Sequence, residues 1–209
     1  METELFLPGL DESVISASEG LFLAIFPSVR AVGEIRNVAG KLCEKHRLNH
    51  KLRPESHWHI TLGYLGPSST VSKGDLQSLE HACKSTADLT GPFEIELDCA
   101  LSFGGGAFVL KSSSEALVGF RQKLLSEMVK QGCRFHRKDP RFNPHLTLLY
   151  DEKKVTEDVV GPVRWTAKEF ALILSHVGDT KYDMLARWSF TGDWERVKDE
   201  MTNRFDSPD

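Results

Sequence analysis

The chain has 209 residues, 40% of them hydrophobic and 27% charged, the composition of an ordinary globular protein long enough to bury a substantial core. Its net charge of −4 excludes a protein that binds polyanions over its whole surface, so any nucleic-acid contact has to be local. The apolar run at residues 21–26 is far too short to span a bilayer and lacks the basic flank and small-residue cleavage site of a signal peptide. No membrane partner is expected.

Residues 1–19 mix acids, Ser and Gly without a clear period, and the expectation is a flexible arm. Residues 20–26 form a continuous apolar run ended by Pro27, which suits a central strand. Ser28 is then an N-cap for a helix running to about Lys45, with Val32, Ile35, Val38, Ala39 and Leu42 at helical spacing. A basic loop leads to a strand around His59 that Gly66-Pro67 stops, and a second helix is predicted over 72–87. From Phe93 the sequence alternates as a half-exposed strand. Gly104-Gly105-Gly106 then turns it into a partner strand over 107–111. A Gly triplet can also cradle phosphate, but here strands flank it on both sides, which favours a hairpin.

Residues 114–131 read as a third helix, with Leu117, Phe120, Leu124, Leu125 and Met128 as its apolar stripe and Gly132 as its stop. A second basic loop and a strand from His145 follow. Residues 164–175 read as one further strand, turned by Gly178-Asp179 and answered by a strand over 182–190. The residues from 192 on form a charged tail, leaving 20–191 as a single domain. Cys43, Cys83, Cys99 and Cys133 are widely spaced with no C-x-x-C pair, which suits reduced thiols and a cytoplasmic location.

Two of these strands carry copies of one pattern. The first reads Trp58-His59-Ile60-Thr61-Leu62-Gly63-Tyr64, the second Pro144-His145-Leu146-Thr147-Leu148-Leu149-Tyr150. By strand alternation His and Thr share one face, while Tyr64 and Tyr150 point to the other and are expected in the core. The two copies lie 86 residues apart, each within its own set of helices and strands. Such an internal duplication implies two similar lobes whose uncovered sheet faces meet at a cleft.

Two imidazoles can divide into one neutral base and one protonated acid near neutral pH, the division that displacement at phosphorus requires. The hydroxyls of Thr61 and Thr147 can donate to phosphoryl oxygens as negative charge grows on them. Bases gather on both approaches: Lys41, Lys45, Arg47, Lys51 and Arg53 before the first motif, Lys130, Arg134, Arg137, Lys138 and Arg141 before the second. His57 shares a face with His59 and is read as a rim residue rather than half of a metal pair, so no metal ligand and no cofactor are assigned. His176 is a further candidate for the cleft. Trp58, Trp165, Phe135 and Phe142 are candidates for stacking on bases, Phe142 foremost.

With these residues in view, the chain resembles the two-histidine (2H) phosphoesterases, and within them the bacterial 2′-5′ RNA ligase-like proteins, also described as RNA 2′,3′-cyclic phosphodiesterases. The likeness runs from Leu21 to about Trp188. It includes residues 21–27, Arg53-Pro54-Glu55 before His59-Ile60-Thr61, Ser102-Phe103-Gly104-Gly105-Gly106, and Phe142-Asn143-Pro144-His145-Leu146-Thr147. The resemblance implies an α+β, bilobal, pseudo-twofold fold of two antiparallel sheets facing a central cleft, with helices packed on the outer faces. It implies metal-independent opening of a 2′,3′-cyclic phosphate to a 2′-phosphate, with the reverse 2′-5′ ligation. His59 would be the general acid, His145 the base that activates water, and Thr61 and Thr147 the phosphate holders.

Several relatives carry an Arg where this chain has Tyr150; Arg53, Arg137 or Arg141 could substitute for it. Arg53, Arg137, Arg141, Phe142 and His57 are therefore the expected substrate contacts. The expected partner is an RNA 3′ end or a small cyclic nucleotide, handled by a monomer. A module of another class, one that binds RNA or nucleotides in the same cleft without turnover, is the alternative.

Overall fold

The computed structural model describes residues 19–133, 142–176 and 181–192. The expected arm up to residue 18, the expected tail beyond residue 192, the Gly178-Asp179 turn, and Arg134, Phe135, Arg137, Lys138 and Arg141 lie outside the described residues, while Glu19, expected in the arm, opens the first strand. In chain order the elements are β1 (Glu19–Ile25), α1 (Val29–His46), β2 (Ile60–Pro67), α2 (Lys73–Asp88), β3 (Phe93–Ser102) and β4 (Ala107–Ser112). They continue with α3 (Glu115–Lys130), β5 (His145–Tyr150), β6 (Asp158–Ala167), β7 (Glu169–His176) and β8 (Lys181–Ser189).

Capping explains where the helices begin. The hydroxyls of Ser28 and Ser114 accept from the backbone N–H of Ala31 and Leu117. Ser72 and Asp75 form a reciprocal capping box at the head of α2. α1 ends at Arg47, whose left-handed φ of 51° lets its N–H reach back to the carbonyls of Cys43 and Glu44.

All strand pairings are antiparallel, and the order is β6-β3-β4-β5-β2-β1-β7-β8. The two sheets expected from the duplication are the two four-stranded halves of this order, with β5 and β2 meeting at the centre. Each half contains one strand–helix–strand copy, β1-α1-β2 or β4-α3-β5. The seam between halves is thin, because β2 and β5 pair through Ile60 and Leu146 alone.

One sheet face is the main core, where Leu21, Leu23, Ile25, Ile60, Leu62, Leu110, Leu146 and Leu148 pack with the apolar stripes of the helices. On the opposite face a smaller cluster of Phe22, Ala24, Ala171 and Ile173, joined by Phe26 and Tyr182, lines the half that carries His59. Alternation along β1 accounts for both sets.

The run 164–175, expected as one strand, is two. β6 ends at Ala167 as the outer strand of one half, and β7 starts at Glu169 between β1 and β8 of the other. β6 also runs through Gly161-Pro162, a pair that ordinarily signals a turn. Pro is tolerated there because β6 is an edge strand, where a missing N–H breaks no inner ladder. The chain thus crosses back at Lys168, and the hairpin β7-β8 completes the N-terminal half.

The hairpin between β3 and β4 places Phe103 beside the second motif. Gly106 holds a φ of 81°, and a Cβ there would stand 2.7 Å from the Asp151 carbonyl oxygen. Gly104 has no such neighbour. Gly106→Ala should therefore destabilise the fold by about 1–3 kcal/mol, against less than about 0.5 kcal/mol for Gly104→Ala, read from urea denaturation midpoints.

Candidate active site

His59 and His145 stand at corresponding places, His59 just before β2 and His145 opening β5. Extending the Ile60–Leu146 register by one residue each way sets His59 opposite Thr147 and Thr61 opposite His145. The two motifs thus form a diamond across the seam, with imidazole and hydroxyl alternating. The positive charge of a protonated His145 is felt at His59.

Each ring is oriented by the same local bond. His59 Nδ1 lies 2.8 Å from the carbonyl oxygen of His57, and His145 Nδ1 2.7 Å from that of Asn143. A carbonyl only accepts, so both Nδ1 atoms carry the hydrogen, and each Nε2 is the nitrogen left for chemistry. His59 Nε2 lies 3.2 Å from the Thr61 hydroxyl, which can donate to it while the ring is neutral.

The surroundings of the two rings differ. His59 packs among three aromatic rings, with centroids at 4.9 Å (Phe22), 5.5 Å (Tyr182) and 5.7 Å (Phe26). Its desolvation there pushes its pKa down to about 4; the backbone bond to His57 opposes the shift, and electrostatic interaction with Arg53, and less so with the imidazoles of His57 and His145, adds to it. Among the described residues His145 has one aromatic neighbour at this range, Phe103, at 4.8 Å and edge-on, and it pairs across strands with Lys111.

A β-bulge follows the Thr of each motif. Between β1 and β2, Leu23 pairs with Gly63 and Ala24 with Thr61, so Leu62 is the extra residue. Between β4 and β5, Phe108 pairs with Leu149 and Val109 with Thr147, so Leu148 is extra. One extra residue reverses the alternation beyond it. Tyr64 and Tyr150, expected in the core, therefore share the face of the histidines and are 41% and 52% exposed.

The two bulge carbonyls receive donors from the opposite half. The guanidinium of Arg121, on α3, donates through Nε to Leu62 O at 2.8 Å. The backbone N–H of Arg53, on the loop into the first motif, donates to Leu148 O at 2.7 Å. These crossed bonds tie the two lobes where direct strand pairing is thinnest.

Arg53 also donates through Nη2 to His57 Nδ1 and to the Tyr182 hydroxyl, both at 3.2 Å, and its guanidinium lies 5.6 Å from the Tyr150 ring centroid. His57 is no rim residue: it is buried and stacked on Tyr182 at 4.1 Å, beneath the cleft. Phe142 is not an open stacking platform either, because the Arg121 guanidinium covers its ring at 4.4 Å. Trp58 and Trp165 belong to the core.

His176 does not reach the cleft. It sits at the far end of β1 from His59, clasped between Glu19 at 2.8 Å and Asp183 at 2.7 Å. Among the approach bases, Lys45 pairs with Asp158 and Lys130 with Glu127. Among the described residues no group of three or more His, Cys, Asp or Glu is placed to hold a metal. The four cysteines are free thiols, and burial pushes the pKa of each up.

A family model described as the 2′-5′ RNA ligase superfamily matches residues 27–179, a span that holds both motifs. The chain belongs to this superfamily. Its fold is that of TT0787 of Thermus thermophilus, at TM-score 0.68 and 21% identity over 83% of this chain and 99% of that one. E. coli LigT complexed with NADP+ matches at TM-score 0.64 and 26% identity over 84% and 99%. LigT complexed with 3′-AMP matches at 0.65 and 26% over 83% and 98%. No match is found among the curated proteins. Membership places the chain with the two-histidine phosphoesterases. None of the described helices is long and apolar enough to cross a membrane.

In this superfamily member the duplicated pattern alone points to the histidine pair, whereas Phe26, Phe103 and Tyr182 carry no equally plain mark. Phe26 and Phe103 each end an apolar strand at a Pro or Gly signal, which places an aromatic at a cleft rim. Tyr182 has no comparable signal, since only the pairing of β7 with β1 brings it to His59.

The depressed His59 pKa fixes a sign. The folded site holds His59 neutral between about pH 4 and the ordinary 6.5 while the unfolded chain takes up a proton, so stability from this group is complete above about 6.5 and is lost as pH falls toward 4. In an NMR titration His59 should stay neutral down to about pH 4, and His59→Gln should flatten the fall in urea midpoint between pH 6.5 and 4. A His59 titrating near 6.5 would contradict this environment.

Proposed function

We propose that the chain opens 2′,3′-cyclic phosphodiesters, at an RNA 3′ end or in a small cyclic nucleotide, to give a 2′-phosphate, and that the same site can run the reverse 2′-5′ joining. The observation that supports this most is the diamond of His59, Thr147, Thr61 and His145, with each Nδ1–H bound to a carbonyl so that Nε2 is the proton-transfer nitrogen, that of His59 beside the Thr61 hydroxyl. Such a site offers two proton-transfer atoms and two hydroxyl donors around one anionic centre.

In the hydrolytic direction, His145 Nε2 takes a proton from water as its oxygen bonds to phosphorus. The bond from phosphorus to the 3′ oxygen breaks, and His59 Nε2–H gives that oxygen a proton. Thr61 and Thr147 donate to the non-bridging oxygens. In the free protein His59 is neutral, so its proton has to arrive with the substrate. Burial is the main cause of the low His59 pKa, and a negative phosphodiester beside the ring favours its charged form and raises its proton affinity. E. coli LigT, of the same fold and 26% identical, has been solved with 3′-AMP and with NADP+, which supports a nucleotide occupant.

His59→Ala and His145→Ala should each lower kcat/KM on a 2′,3′-cyclic nucleotide by at least ~10²-fold, with the wild-type rate unchanged by chelator. Full turnover by either variant would overturn the mechanism. Cyclic-nucleotide binding by the wild type without any hydrolysis would favour the binding module instead.

A further inference from the structure

Arg53 stands apart from the other approach bases. Its Nη2 donates to His57 Nδ1 and to Tyr182 Oη, both uncharged acceptors, and its planar group lies against the Tyr150 ring. Among the described residues no carboxylate pairs with it, whereas Lys45 and Lys130 have such partners; Lys41, Arg47 and Lys51 share that lack but are exposed. It is half-buried at the seam, with its own N–H bound to Leu148 O at the bulge of the second motif.

A guanidinium held this way by neutral groups has no counter-ion among the described residues, and its partners orient rather than neutralise it. Anchoring at the Leu148 bulge ties the position of Arg53 to the strand bearing His145 and Thr147, although Arg53 belongs to the loop that leads to His59. Tyr150 is on the cleft face only because of that bulge. Arg53 is close enough to His59 for its charge to lower the proton affinity of that ring.

We propose that Arg53 is the cation that grips a non-bridging oxygen of the substrate phosphate, and that Tyr150 is a positioning residue that sets the Arg53 guanidinium for this contact. The inference rests on the phosphodiester reading of the site and names the group that supplies its missing charge. It also assigns Tyr150 a role that acts entirely through Arg53. Forked donors and a cation–π contact with Tyr150 suit Arg here, where Lys would keep the charge and lose the geometry.

The test uses the full chain and four variants: Arg53→Met, Arg53→Lys, Tyr150→Ala and the double Arg53→Met/Tyr150→Ala. Binding of inorganic phosphate is followed by calorimetry and turnover on a 2′,3′-cyclic nucleotide by initial rates. Arg53→Met keeps the backbone N–H that meets Leu148 O, so its melting temperature should stay near wild type. It should weaken phosphate binding at least tenfold and lower kcat/KM by about 10²-fold, the scale of a lost oxyanion contact, with Arg53→Lys intermediate.

Tyr150→Ala should lower kcat/KM by about tenfold in the wild-type background and have no further effect in the Arg53→Met background. In Arg53→Met the His59 imidazole should titrate at higher pH than in wild type, a shift that loss of packing alone does not predict. Equal phosphate binding and turnover in wild type and Arg53→Met would overturn the inference while leaving the hydrolase reading intact. Additive effects of the two substitutions would overturn the role of Tyr150. Phosphate binding that depends on Arg53, with no cyclic phosphodiester turned over, would keep the anion grip and overturn the hydrolase reading. A wild type that binds no phosphate would overturn the grip.

Discussion

The seam between β2 and β5 is the constraint on which the rest of the site depends. A single residue pair, Ile60 with Leu146, joins the halves by strand pairing. That pairing alone would leave the relative placement of the two motifs loosely defined. The two bulges change this, because each exposes a carbonyl that the opposite half satisfies: Arg121 at Leu62 O and the Arg53 N–H at Leu148 O. A buried carbonyl without a donor is costly, so each bond holds the partner half in place as well as itself. The bulge therefore does two jobs. It turns the Tyr beyond each Thr onto the face of the histidines, and it supplies the acceptors that tie the halves together.

The duplicated motif becomes an asymmetric device through its surroundings. Closely similar residues carry His59 and His145, and both rings make the same Nδ1 bond to the carbonyl two residues back. What differs is the floor. Phe22, Phe26 and Tyr182 desolvate His59, while His145 meets Phe103 and has Lys111 as its cross-strand neighbour. Those residues come from β1, the β7-β8 hairpin and the β3-β4 hairpin, none of which belongs to either motif. The different surroundings of the two rings are thus set by the scaffold strands, not by the strands that carry the two motifs.

Much of this is legible in the chain. Helix starts follow from Ser28, Ser72 and Ser114, and the strand-and-turn reading of Gly104-Gly105-Gly106 matches a hairpin whose Gly106 has the positive φ that Gly alone adopts easily. The His/Thr pair is visible because two copies of one pattern are improbable as filler. Two features are not legible. Strict alternation assigns Tyr64 and Tyr150 to the core, because a bulge leaves no residue signature when its extra position is a buried Leu, as Leu62 and Leu148 are. The swap of β6 and β7 between halves is hidden in a continuous apolar stretch, since pairing between strands far apart in sequence is a property of the whole sheet. Proximity in sequence to the motifs marks His57 and Phe142 as substrate contacts, yet stacking on Tyr182 and cover by Arg121 occupy them.

The central claim is that both imidazoles serve one phosphate at the seam through their Nε2 atoms. It is tested most directly by imidazole 15N NMR during titration with a nucleoside 2′-monophosphate. The account predicts that the Nε2 signals of His59 and His145 move together along one binding curve of unit stoichiometry, while both Nδ1 atoms stay protonated and bound to their carbonyls. Movement of one histidine without the other, or two curves of different affinity, would contradict it.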